Sequence, residues 1–147
     1  MKKIKDKKIY PLAKPYIGKD EEKLVLEVLR SGVLSMGGKT DIFEKEFAQF
    51  ADTKYACAVS SGTAGLHMAL IAAGIGPGDE VITTPFSFIA SANSILYVGA
   101  KPVFVEIDSL TYNINAHKIE AAITAKTKAI LPVHIFGQAA EMDLIII

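Results

Sequence analysis

The 147 residues suffice for one domain with its own core, and half of them are hydrophobic, with a mean hydropathy of +0.31. Sixteen basic residues balance sixteen acidic ones, so no global field recruits nucleic acid or an anionic membrane. A small molecule or a protein is therefore the expected partner. The one cysteine, Cys57, lies in an apolar run with no mate for an internal disulfide, and reads as a buried, inert thiol of a reducing cytoplasm.

Lys2, Lys3, Lys5, Lys7 and Lys8 make a basic start, but Tyr10-Pro11-Leu12-Ala13-Lys14-Pro15 interrupts any apolar stretch after it, which argues against secretion. Residues 1–18 read as an irregular arm held extended by Pro11 and Pro15. Asp20 is expected to cap a helix with Glu21 and Glu22 in its first turn, a stripe of Leu24, Val25, Val28 and Leu29, and Ser31-Gly32 as its end. A glycine-rich loop over 31–39 comes next. Thr40 then begins a second helix with Phe43, Phe47 and Phe50 on one side.

Beyond this point short apolar strands alternate with helices. Strands are predicted over 55–59, 80–84, 102–106 and 128–133. Helices are predicted over 64–73, from the turn at 85–88 to about 98, and from a cap at Asn115 to about 123. The apolar run over 64–75 is too short to span a bilayer. This alternation implies an α/β fold with a mainly parallel sheet covered by helices, its crossovers right-handed. Glu141-Met142-Asp143 reads as another helix start. Its apolar continuation, Leu144 to Ile147, is expected to have nothing to pack on, as in a truncated unit.

Ligands of such sheets bind at the carboxyl ends of the strands, where loops lead into helices. Ser60-Ser61-Gly62-Thr63-Ala64 joins a predicted strand to a helix. Gly62 permits close backbone approach, while the N–H groups of Thr63 and Ala64 and the Thr63 hydroxyl can cradle a phosphate. The same residues also fit an ordinary helix cap. In Thr84-Pro85-Phe86-Ser87-Phe88 the two aromatics can stack on a flat heteroaromatic ring or simply fill a core. His134, in His134-Ile135-Phe136-Gly137-Gln138, is either a ligand contact or a hydrogen-bonded structural histidine. No metal-ligand spacing appears, and neither the dinucleotide-binding nor the P-loop glycine pattern is present.

Several segments occur in order: Ser31-Gly32, Phe43-Glu44 with Phe47-Ala48, Ser60-Ser61-Gly62-Thr63-Ala64-Gly65-Leu66-His67, and Gly78-Asp79-Glu80-Val81-Ile82. They continue with Phe86-Ser87-Phe88, Gly99-Ala100 with Pro102-Val103-Phe104, and Thr127-Lys128-Ala129-Ile130 with Pro132-Val133-His134. This ordered set resembles the DegT/DnrJ/EryC1/StrS family of pyridoxal-phosphate-dependent nucleotide-sugar aminotransferases, over essentially the whole chain.

The resemblance implies the N-terminal part of the large domain of a type I aminotransferase, here an incomplete cofactor-binding domain over 19–147 after the arm at 1–18. A smaller C-terminal domain would complete it in a homodimer. It implies pyridoxal 5'-phosphate as cofactor, with Gly62, Thr63 and Ala64 at its phosphate and Phe88 stacked on its ring, which leaves Phe86 as a packing residue. Ser31, Gly32, Ser35 and His134 become substrate-contact candidates.

The family's Schiff-base lysine and the acid that pairs with the pyridine nitrogen are expected beyond Ile147. None of the lysines here stands in the Schiff-base context, Asp79 reads as a turn residue, and Asp108 does not match the pyridine partner. The implied reaction turns a keto group of a nucleotide-linked sugar into an amine, with an amino-acid donor, for cell-surface polysaccharide. This chain by itself is expected to be inactive, to bind cofactor weakly, and to self-associate through its exposed sheet. The alternatives are a non-catalytic regulatory member of the same fold, or a dehydratase with histidine in place of the lysine.

Overall fold

A computed structural model describes residue 11 and residues 13–146. The lysine-rich start, most of the arm expected over 1–18, and Ile147 lie outside the described residues. The chain divides into two compact units, Met1–Ala58 and Val59–Ile147.

In the first unit, helix α1 spans Lys19–Ser31. Its cap is Gly18 rather than Asp20, which falls inside the first turn together with Glu21 and Glu22. The cause is Glu21, whose carboxylate reaches back to accept the Gly18 N–H at 2.6 Å and so fixes the entry of the chain. That bond holds the Glu21 carboxyl below its ordinary range. Gly32 closes the helix with φ 72°, the left-handed ending expected there. Helix α2, Gly38–Phe50, starts two residues before the expected Thr40, and Phe43 and Phe47 neighbour each other at 5.8 Å between ring centroids.

The strand expected over 55–59 is not formed. The segment takes no regular structure, no strand pairs with it among the described residues, and the Ala58 N–H bonds to the Glu44 carboxylate instead, at 2.8 Å. With no sheet neighbour to cover it, Cys57 is exposed, which corrects the buried thiol expected from its apolar context.

The second unit contains α3 (Gly62–Ala72), β1 (Glu80–Thr83), α4 (Ala90–Tyr97), β2 (Lys101–Phe104), β3 (Thr127–Ile130) and α5 (Met142–Ile145). All three strands are parallel, in the order β2-β1-β3. The expected α/β class with a parallel sheet is what the chain forms.

Paired on both edges, β1 is buried along its whole length. Its alternating side chains serve two cores. Val81 joins Leu70, Ile75, Ile95 and Ala100 on one face, whereas Ile82 joins Val105, Ile114, Ile119 and Ile145 on the other. Burying one such side chain contributes about 1.5–3 kcal/mol.

Two further expectations change. Asn115 does cap, its Oδ1 accepting the His117 N–H at 3.1 Å, but the segment after it forms two 3₁₀ turns, Ala116–Lys118 and Glu120–Ala122, in place of the expected helix. The turn at Thr124, whose carbonyl accepts the Thr127 N–H and whose own N–H donates to Thr127 Oγ1, stops the helix before it lengthens. The apolar end of the chain finds a partner at one residue: Ile145 is buried in the second core with Met142 packed against it, whereas Leu144 and Ile146 stay exposed, as expected.

Candidate cofactor and substrate site

Because the strands are parallel, the loops after β1, β2 and β3 all leave from one end of the sheet. Thr83, fully buried at the end of β1, donates its hydroxyl to the Leu131 carbonyl at 2.8 Å and ties the first of these loops to the third.

The N-terminus of α3 presents backbone donors to solvent. Ser61 caps it, its Oγ accepting the Ala64 N–H at 3.1 Å, while its carbonyl accepts the Gly65 N–H at 3.1 Å. The Ala64 N–H, expected to be free, is therefore engaged. The N–H groups of Gly62 and Thr63 and the Thr63 hydroxyl are the ones without a partner among the described residues. A Cβ built at Gly62 would meet no atom within 4 Å, so the approach to these donors is open. No acidic residue stands in the first turn of α3, unlike α1 with its Asp20, Glu21 and Glu22. The positive end of the helix is thus uncompensated by its own side chains, an arrangement that suits a phosphate.

The loop after β1 separates its two aromatics. Phe86 sits among rings, 5.6 Å from Tyr112 and 6.2 Å from Phe136 between centroids. Phe88 is 77% exposed, with its ring available for stacking. Short-range bonds stiffen the backbone here: Phe86 N–H to Thr84 Oγ1 at 3.3 Å, Ser87 Oγ to Ser91 Oγ at 2.7 Å, and Ser91 N–H to the Phe88 carbonyl at 3.1 Å. This loop leads into α4, which packs against α3, with His67 and Tyr97 edge to face at 5.5 Å.

His134 is exposed on the loop after β3. Its Nδ1 accepts the Ala140 N–H at 3.0 Å, which leaves Nε2 as the nitrogen that carries hydrogen in the neutral ring. The residue missed in the sequence is Asn113, only 3% exposed, whose side chain reaches this loop. It donates to the carbonyls of Gln138 and Ala139 at 3.1 and 3.2 Å and accepts the Ile135 N–H at 3.0 Å. An asparagine next to the apolar Ile114 was the only signal, and nothing local tells how far it reaches.

Ser31, Gly32 and Ser35 belong to the first unit. Ser31 Oγ donates to the Val28 carbonyl at 2.7 Å and accepts the Val33 N–H at 3.1 Å, so its hydroxyl closes α1. It also borders a cavity of about 520 Å³ lined by Val33, Leu34, Met36, Lys39 and Ile42 among others. Ser35 lies exposed in the bend before α2. Asp79 acts as a turn residue, its Oδ2 accepting the Gly76 N–H at 2.9 Å. Asp108 is occupied by its own turn: it accepts from the N–H groups of Thr111 and Leu110, which hold its carboxyl below the ordinary range. Among the described residues no helix is long and apolar enough to cross a membrane.

The sequence pattern of the DegT/DnrJ/EryC1/StrS aminotransferase family matches residues 15–146. The chain belongs to this family. Among members of the DegT/DnrJ/EryC1/StrS family it is similar to the spore coat polysaccharide biosynthesis protein SpsC of Bacillus subtilis, 54% identical over 136 residues. It is also similar to the GDP-perosamine synthase of Caulobacter vibrioides, 48% identical over 136 residues. Each alignment covers 92% of this chain but only 35% and 37% of the relative, so the chain spans about a third of the length of the curated relatives it matches. Among solved structures, the putative sugar aminotransferase Spr1654 from Streptococcus pneumoniae in its PMP-form superposes with a TM-score of 0.89 at 36% identity. That match covers 92% of this chain and 34% of the other. The DegT/DnrJ/EryC1/StrS fold thus carries the loops described above, in a chain whose relatives include sugar aminotransferases.

Proposed function

We propose that this chain forms the phosphate-binding and ring-stacking part of a pyridoxal-phosphate-dependent aminotransferase that converts a keto group of a nucleotide-linked sugar to an amine. Pyridoxal 5'-phosphate, when bound, supplies an electron sink for moving the amino group. The residues of this chain bind and orient it. The Gly62 and Thr63 N–H groups and the Thr63 hydroxyl donate to the phosphate, with Ala64 continuing the same turn, and Phe88 covers one face of the ring. His134 offers its Nε2–H to an oxygen of the cofactor or sugar, and Ser31, Gly32 and Ser35 of the first unit are proposed as substrate contacts on the family resemblance alone.

The observation that carries this reading is the α3 N-terminus, where open donors coincide with a first turn free of acidic side chains. Family membership supports the choice of cofactor, and relatives named for polysaccharide and perosamine synthesis support a sugar as substrate.

No lysine of this chain is assigned the nucleophile's role. The chain by itself is therefore proposed to bind cofactor weakly without turnover, and the homodimer of complete family members is proposed for the whole protein.

The test is a calorimetric titration with pyridoxamine 5'-phosphate and with pyridoxamine, neither of which has an aldehyde to react with surface lysines. Binding that requires the phosphate supports the reading. Equal binding of both compounds, or of neither at millimolar concentration, overturns it. Formation of 2-oxoglutarate from glutamate and a nucleotide-linked keto sugar by this chain alone would overturn the assignment of the nucleophile.

A further inference from the structure

The loop after β3 contains an unfavourable piece of backbone. Phe136 has φ 54° and Gly137 has φ 84°, two left-handed residues in succession, the first of them aromatic. A non-glycine residue in this region is held there only when its surroundings over-determine it. Asn113 supplies the restraint. Its three hydrogen bonds straddle the turn, with the Ile135 N–H on one side and the Gln138 and Ala139 carbonyls on the other. The next residue, Ala140, donates to Nδ1 of His134 at 3.0 Å, so the loop closes on the imidazole at its own start.

We infer that Asn113 is a positioning residue: by fixing the turn at residues 135–139 it sets Ala140 against His134 and commits the imidazole to the Nε2–H form, aimed as a hydrogen-bond donor at an oxygen acceptor. The side chain and the turn are complementary. An asparagine carries both an acceptor and two donor hydrogens, and here each kind is matched to a backbone group of the loop at ordinary distance. An apolar residue of the same size would leave one N–H and two carbonyls of the turn without these partners. What the Nε2–H meets rests on the cofactor-site reading above, as a phosphate, phenolate or carbonyl oxygen. The restraint itself does not depend on that reading.

The experiment is a long-range ¹H–¹⁵N spectrum of the histidine side chains in the 147-residue chain, recorded above the imidazole titration range. His117, exposed on its 3₁₀ turn, serves as the internal reference for an imidazole whose tautomer is not fixed. His134 is expected to show a single Nε2–H tautomer in the wild type, with both ¹⁵N shifts separated from those of His117.

In Asn113→Ala those shifts move to the His117 values, and the exchange protection of the Ala140 amide falls roughly threefold to tenfold, as for a lost net hydrogen bond. Asn113→Asp keeps the acceptor for Ile135 but loses both donors, and gives intermediate values. Wild-type His134 shifts equal to those of His117 overturn the inference even if no variant folds. So do unchanged His134 shifts in a folded Asn113→Ala. Because no cofactor is present, a failed phosphate titration leaves these outcomes intact, and the reverse holds as well.

Discussion

The Thr124 hydroxyl donates to the Glu80 carboxylate at 2.7 Å across 44 residues of chain, and Lys101 Nζ approaches the same group at 3.1 Å from the neighbouring strand. These contacts, the hydroxyl first and the ammonium second, hold the Glu80 carboxyl below its ordinary value of 4.5. A carboxyl whose pKa is lower folded than unfolded adds stability that is complete above the unfolded value and is lost as pH falls through the folded one. The thermal midpoint should therefore drop on acidification below 4.5. Glu80→Gln should start lower at neutral pH, fall less on the acid side and converge with the wild type in strong acid. Parallel curves would show that Glu80 does not link folding to protons.

Ile82 sits at zero exposure in the middle of β1, between strands on both sides. Ile82→Ala should cost about 2–5 kcal/mol, and Ile82→Val about 0.5–1.5 kcal/mol, read from urea unfolding midpoints. Leu110, 87% exposed, makes the contrast. Leu110→Ala should stay within about 0.5 kcal/mol of the wild type.

Capping and ligand binding are separable at α3. Ser61→Ala removes the acceptor of the Ala64 N–H and should cost about 1 kcal/mol, whereas Ser61→Gly should cost only a few tenths. Thr63→Ala leaves that cap in place. It should keep the unfolding midpoint and weaken pyridoxamine 5'-phosphate roughly threefold to tenfold in the same titration, as for one lost hydrogen bond.

The two phenylalanines of the β1–α4 loop should behave oppositely. Phe88→Ala, at an exposed ring, should change stability by less than about 0.5 kcal/mol yet reduce cofactor affinity. Phe86→Ala removes the ring shared by Tyr112 and Phe136 and should cost about 1 kcal/mol or more. The reverse order of stability losses would mean that the roles of the two rings are exchanged.

Local signals carried much of the fold. Ser31-Gly32 marks the end of α1 by backbone chemistry, and Gly74, with φ 73° just past α3, marks the end of that helix. The strand β1 shows in the Val81-Ile82 pair between the turn at Gly78-Asp79 and Pro85, although its ends, Glu80 and Thr83, are polar and buried all the same. The α/β class was legible for the same reason. The illegible parts depend on partners distant in sequence. The segment at 55–59 has the composition of a strand but no neighbour to pair with among the described residues, so neither the strand nor the burial of Cys57 came about. Gly18 rather than Asp20 caps α1 because Glu21 reaches backwards, a choice among adjacent residues that composition does not decide. The donors at Gly62 and Thr63 were half visible: the glycine, the helix start and an ordinary cap could all be read, but not that the cap takes the Ala64 N–H and leaves those of Gly62 and Thr63 open. Asn113 was invisible because its partners lie up to 26 residues away.

The central claim, that the start of α3 cradles a cofactor phosphate, is tested most directly by amide chemical-shift mapping during titration with pyridoxamine 5'-phosphate. The account predicts that the largest movements fall on the Gly62 and Thr63 amides, with ring-current shifts at Phe88, and that inorganic phosphate reproduces the first set but not the second. Movements centred elsewhere, or none at Gly62 and Thr63 at saturating ligand, would contradict it.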